Sequence, residues 1–148
     1  MSNENQKNHL KAYGIVYYSL EKGITAKWLL NYDGGAFLIE NNPTIENECK
    51  IRGVSYQIIS DAKAQLILQD ISSPSQNQEA VTLEKAPKIA VYSPKDKMPW
   101  DDAVTMVLTY AEIPFDVIYD KDVLEDKLVL YEWLHLHHED FTGQYGRF

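Results

Sequence analysis

Several things are scarce in this sequence, and each scarcity removes a class of function. There is one cysteine, Cys49, so no disulfide forms within the chain. No apolar run approaches the roughly 20 residues that cross a bilayer as a helix, so no membrane span is expected. The basic residues are scattered, 14 against 22 acidic ones, and the net charge is −8. A surface of that sign repels a phosphate backbone, which argues against nucleic acid as a partner. The phosphate-cradling pattern G-x-x-x-x-G-K-[ST] is missing, as are the dinucleotide fingerprint G-x-G-x-x-G and the nucleophile elbow G-x-S-x-G. Residues 1–8, Met-Ser-Asn-Glu-Asn-Gln-Lys-Asn, are polar and do not form a signal peptide. No cofactor is named by any motif.

What is present is a core. Hydrophobic residues make up 45% of the 148, enough for one packed α/β domain. Leu10, Tyr13, Tyr17 and Leu20 share one face of a helix over 8–22, closed by Gly23. Trp28–Tyr32 and Ala36–Ile39 read as strands joined at Asp33-Gly34-Gly35. The two glycines could also bring backbone N–H groups to an anion, but between two apolar runs a hairpin is the plainer reading. Asn42-Pro43 starts a helix that runs to Arg52 and stops at Gly53. Cys49 falls on it among apolar neighbours, as a small buried side chain rather than a nucleophile. Val54–Ile59 alternates like a strand. Ser60-Asp61 opens a helix with Ala64, Ile67, Leu68 and Ile71 at core spacing.

From 72 to 87 the chain turns polar and rich in turn residues, and reads as a connection between two halves. Beyond it come a strand at Lys88–Tyr92, a loop from Ser93, and a helix over 100–112 with Val104, Val107, Leu108 and Ala111 as its buried stripe. Pro114 stops that helix. Strands follow at Phe115–Tyr119 and Trp133–His137, with a loop and one helical turn between them. Strand–helix–strand with a short return predicts a parallel crossover. The expected fold is α/β: a mostly parallel sheet flanked by helices, a three-layer arrangement of flavodoxin-like or glutamine amidotransferase-like type.

In open parallel sheets ligands sit beyond the carboxyl ends of the strands. Ser93 and Lys95, Asp120, and the run His137-His138-Glu139-Asp140 should all reach that edge. We therefore take His137, His138, Glu139, Asp140, Ser93 and Lys95 as candidate ligand-binding residues. Alternation along the last strand puts His135, His137 and Glu139 on one side, two imidazoles about 7 Å apart at their backbones. A metal ion could bridge His135 and His137, although no third ligand is named by the sequence. Proton transfer among His137, His138, Glu139 and Asp140 is a second use. The plainest reading has His135 packed inside and the others capping the strand end.

Several stretches taken together resemble a known family: Gln6-Lys-Asn-His-Leu-Lys-Ala-Tyr-Gly14, Trp28-Leu-Leu-Asn-Tyr-Asp-Gly-Gly35, Ile51-Arg-Gly-Val-Ser-Tyr56, Lys88-Ile-Ala-Val-Tyr-Ser-Pro94 and Trp133-Leu-His-Leu-His-His-Glu-Asp-Phe-Thr-Gly-Gln-Tyr-Gly146. The chain resembles the N-terminal portion of longer bacterial proteins labelled asparagine synthetase B. That resemblance implies a truncated chain, relatives with an export signal, and an extracytoplasmic location. Glutamine-dependent asparagine synthetases carry a cysteine directly after the initiator methionine, where Ser2 stands here, and a Ser-Gly-Gly-x-Asp-Ser ATP loop that is missing. The strand–helix order of the second half looks more like class I glutamine amidotransferases. Their cysteine sits on a sharp strand-to-helix turn, a place Cys49 does not occupy. The expectation is a non-catalytic α/β domain that binds a small ligand, or the remainder of a longer chain, at the strand ends. The alternatives are a fragment of an ATP- and glutamine-dependent asparagine synthetase, and a metal-dependent hydrolase.

Overall fold

The computed structural model describes residues 6–73, 75–93 and 102–136. The chain divides into two compact units, 1–86 and 87–148.

The first unit opens with α1 (His9–Glu21). A hairpin follows, β1 (Ala26–Leu30) and β2 (Ala36–Ile39), and then α2 (Pro43–Arg52), α3 (Asp61–Ile71) and β3 (Glu79–Leu83). The sheet order is β2-β1-β3, and both pairings are antiparallel. The Asp33-Gly34-Gly35 segment is the hairpin turn, with Asn31 and Asp33 at positive φ and Gly35 at φ 100°. Register brings Trp28 opposite Phe37. Tyr13 on α1 meets both rings edge-on, with centroids 6.0 and 5.1 Å away. Such edge-to-face contacts add to the area the rings bury. Beside them Ile15, Ile45, Cys49 and Val54 form a buried cluster. Burial pushes the Cys49 thiol above its usual range, so little thiolate forms and the residue serves as a small apolar filler.

Local chemistry sets the helix ends as expected. Asn42 caps α2, its side chain accepting from the Thr44 N–H, with Pro43 in the first turn. Ser60 caps α3 by accepting from the Lys63 N–H. Gly53 closes α2 at φ +67°, and its carbonyl accepts from Asn8 Nδ2 at 2.8 Å. A Cβ on Gly53 would lie 2.9 Å from that same nitrogen, whereas one on Gly23, also at positive φ, would meet nothing within 4 Å. Gly23→Ala is therefore expected to cost about 1 kcal/mol, for the left-handed backbone alone. Gly53→Ala should cost roughly twice that, because the Asn8 contact must also shift. Urea midpoints of the two variants check the ranking.

Two expectations for this unit fail. Val54–Ile59 is not a strand: it runs without a ladder partner, although Val54 is buried. Its N–H groups go elsewhere, Val54 to the Cys49 carbonyl and Ser55 to the Gln6 side chain. The polar stretch 72–87 is more than a connection, because it contains β3 along the whole of β1.

The second unit holds β4 (Ile89–Tyr92), α4 (Ala103–Ala111), β5 (Asp116–Ile118), the short α5 (Asp120–Leu124) and β6 (Trp133–Leu136). Its order is β5-β4-β6, and both pairings are parallel. Among the described residues parallel pairing is thus confined to this unit, and the mostly parallel sheet expected for the whole chain becomes two small sheets of opposite kind. β4 lies in the middle, and Ile89, Ala90 and Val91 are buried. A strand covered on both faces needs an unbroken apolar run, which this is. On α4 the buried side chains are Thr105, Leu108 and Ala111, while Val107 is 40% exposed. The expected stripe is thus rotated by a fraction of a turn. The reason is Thr105, whose hydroxyl donates to the Asp102 carbonyl and so tolerates burial. Glu112, at φ 58°, ends α4 in the left-handed region before Pro114.

Candidate functional site

The amino-terminal end of the parallel sheet is fastened by hydrogen bonds. The Lys88 N–H donates to Glu132 Oε2 at 2.8 Å, and the Glu132 and Trp133 N–H groups donate to the Lys88 carbonyl. The Tyr131 hydroxyl donates to Asp116 Oδ2 at 3.0 Å. These bonds hold β4, β5 and β6 in register, so their carboxyl ends finish together. Tyr92 is level with Ile118 on one side and with Leu136 on the other.

The expected candidates distribute as follows. Ser93 continues β4 by donating its N–H to the Ile118 carbonyl at 3.0 Å, and it is fully buried. Asp120 stands just past β5 and accepts from the Tyr92 hydroxyl at 2.5 Å. The ends of β4 and β5 are thereby joined by side chains as well as by the ladder. Lys95, His137, His138, Glu139 and Asp140 lie outside the described residues. His135 is on β6, level with Val91. Among the described residues no group of three or more His, Cys, Asp and Glu could hold a metal ion, and the second ligand of the metal reading, His137, lies outside them.

A further pair was not singled out by the sequence. Asp102 caps α4, accepting from the Val104 N–H at 2.6 Å through Oδ1. Its other oxygen, Oδ2, stands 3.1 Å from His135 Nε2. The Asp102 side chain is 4% exposed and that of His135 22%. One carboxylate thus joins the start of a helix to an imidazole on a strand 33 residues away. Capping is strongest for the ionised side chain, because the helix end carries partial positive charge. An ionised carboxylate has no proton to give. With Asp102 ionised, His135 Nε2 is the donor, and Nδ1 keeps its lone pair when the ring is neutral.

Tyr92 gives this edge a measurable titration. The hydrogen bond donated to Asp120 raises the Tyr92 hydroxyl above its ordinary value of 10.0, and burial and the Asp120 charge push the same way. An unfolded tyrosine loses its proton first, so the stabilising effect is complete below pH 10 and fades as pH climbs through the higher folded value. Asp120→Asn should bring the Tyr92 titration back toward 10, as followed by the ring carbon shifts in NMR.

Among the described residues no helix is long and apolar enough to cross a membrane. No protein-family model, curated protein or solved structure matches the chain.

Proposed function

We propose that the second unit is a ligand-binding α/β domain of the three-layer, flavodoxin-like or amidotransferase-like type, taking a small polar molecule where β4 and β6 end. It has no catalytic role as it stands. One observation carries this reading: Tyr92 and Leu136 finish side by side in a parallel pair, with the part-buried Asp102–His135 contact on α4 and β6. The chain steps from β4 out to β5 and then back across to β6, so the strand order reverses between β4 and β6. A reversal of that kind opens a crevice at the carboxyl edge. The polar run His137–Asp140 follows directly on β6 in sequence. The resemblance to the asparagine synthetase B-labelled family is compatible with such a domain, and no residue is assigned to amidation or ATP binding on its account.

The test is a ¹⁵N-resolved NMR titration of the whole chain with L-glutamine, L-asparagine, AMP and ATP. At least one should shift the amides of Ser93, Asp102 and Leu136, and His137→Ala should weaken that response. Silence from the entire panel, or shifts confined to the first unit, overturns the reading.

A further inference from the structure

The first unit carries an unfinished edge. Residues 54–60 run with neither turn nor bend and without a ladder partner, and none of them takes a positive φ. Ser55 nevertheless makes the bonds of a paired strand residue. Its N–H donates to Gln6 Oε1 at 3.3 Å, and its carbonyl accepts from Gln6 Nε2 at 3.1 Å. One side-chain amide thus stands where the peptide groups of a neighbouring strand would stand, exchanging both bonds with a single residue. The substitute ends there. Among the described residues the backbone N–H and C=O groups of Tyr56, Gln57, Ile58 and Ile59 have no hydrogen-bond partner. In an extended chain alternate residues present both groups to the same side. Gln57 and Ile59 therefore face the side on which Gln6 meets Ser55, and Tyr56 and Ile58 face the other.

Space lies beside this segment. A cavity of about 740 Å³ in the first unit is lined by residues 56–59, by Leu38 and Ile39 of the edge strand β2, and by Ala64, Ile67 and Leu68 of α3. That volume falls among those of ligand sites, roughly 300–1,000 Å³. The three α3 residues have core spacing, yet each is only half-buried. The charge of the lining is uneven. Asp33, Glu40, Glu46 and Asp61 contribute to it, against Lys27 and Lys63. The Lys27 ammonium donates to Thr82 Oγ1 on β3, the strand at the opposite edge of the sheet from β2. The acidic excess that is left favours a cationic guest.

We infer that Tyr56–Ile59 is a receiving edge for an extended, basic peptide segment of a partner protein. The segment pairs its backbone with Gln57 and Ile59, and its apolar side chains enter the cavity. Recognition of this kind is strand addition: main-chain hydrogen bonds give affinity, and pockets for alternate side chains give specificity. An acyl chain or a similar apolar molecule would fill the same space and leave the backbone groups unpaired. The inference concerns the first unit alone and does not depend on a ligand at the β4–β6 edge.

The probe is the acetylated and amidated peptide Lys-Val-Thr-Val-Thr-Val-Lys, titrated into the whole chain and followed by ¹⁵N-resolved amide exchange. Exchange should slow at Gln57 and Ile59 and stay fast at Tyr56 and Ile58. The same peptide with glutamate in place of lysine should bind about tenfold more weakly at low ionic strength, and the difference should shrink at high salt. The lysine peptide N-methylated at every central residue keeps its charge and its valines but loses its donors, and it should not bind. Gln57→Pro removes one receiving N–H and should weaken the lysine peptide about fivefold. Ile58→Pro places the same ring on the far side and should leave binding unchanged. Both substitutions spare the fold's own hydrogen bonds, since neither N–H has a partner among the described residues.

No binding of the lysine peptide overturns the inference. So does slowed exchange at Tyr56 and Ile58, or at all four residues alike. Equal binding of the N-methylated peptide would mean that the cavity only takes up apolar groups, and equal binding of the glutamate peptide would remove the charge preference; either result overturns it.

Discussion

Asp102→Ala is expected to destabilise the second unit by about 2–4 kcal/mol. The figure has two sources. Loss of the cap on α4 costs about 1 kcal/mol, because the Val104 N–H loses its acceptor. Loss of Oδ2 leaves the His135 Nε2–H without its acceptor in a mostly buried place, which costs about 1–3 kcal/mol. Asp102→Asn keeps the cap and replaces the second contact, so it should recover most of the loss. Chemical denaturation of the variants, with His135→Phe and Asp102→Ala combined as a double-mutant cycle, separates the two sources. The cycle should give a coupling of about 1 kcal/mol between the side chains. A coupling of zero would mean that the 3.1 Å contact contributes nothing.

The second large effect is expected in the first unit. Leu29 is 3% exposed and lies in the central strand of the antiparallel sheet. Its partners on the two flanking strands are Ala36 and Ala80. Alanines cannot move into a space left beside them. Leu29→Ala should therefore leave most of its cavity open, and the cost should fall in the upper part of the range of about 2–5 kcal/mol. Leu66→Ala is the control: Leu66 is 61% exposed on α3, and its truncation should change stability by less than about 0.5 kcal/mol. Urea unfolding of both variants, with the slope unchanged, checks the contrast.

The elements that the sequence made legible are those whose signals are local. Asn42-Pro43, Ser60 and Gly53 mark helix ends because capping involves neighbours two to four residues away. Ile89-Ala-Val91 reads as a buried strand because it is apolar on both sides. The misreadings share a cause. Val54, Tyr56 and Ile58 alternate as a strand would, but alternation says nothing about whether a neighbouring edge is available, and here the segment has no ladder. Glu79–Leu83 looked like part of a polar linker, yet β1 offers it a full set of partners. Val107 was placed in the buried stripe on hydropathy, and Thr105 takes that role because its hydroxyl is satisfied inside its own helix.

The candidate site divides in the same way. That Ser93 and Asp120 belong to one edge follows from strand direction, which strand–helix–strand order predicts. The Asp102–His135 contact spans 33 residues and leaves no periodic trace. Its one signal was an aspartate at a helix start after a parallel strand, a position where the second carboxylate oxygen is free to reach a neighbouring strand.

The account rests on β4 and β6 running in the same direction, with their carboxyl ends adjacent. Interstrand NOEs in the whole chain measure this directly. They should connect Ala90 with Leu134 and Tyr92 with Leu136, together with a contact from Asp102 to the His135 ring. NOEs pairing Tyr92 with Trp133 and Ile89 with Leu136 would mean antiparallel strands, which would separate the two ends and contradict the site.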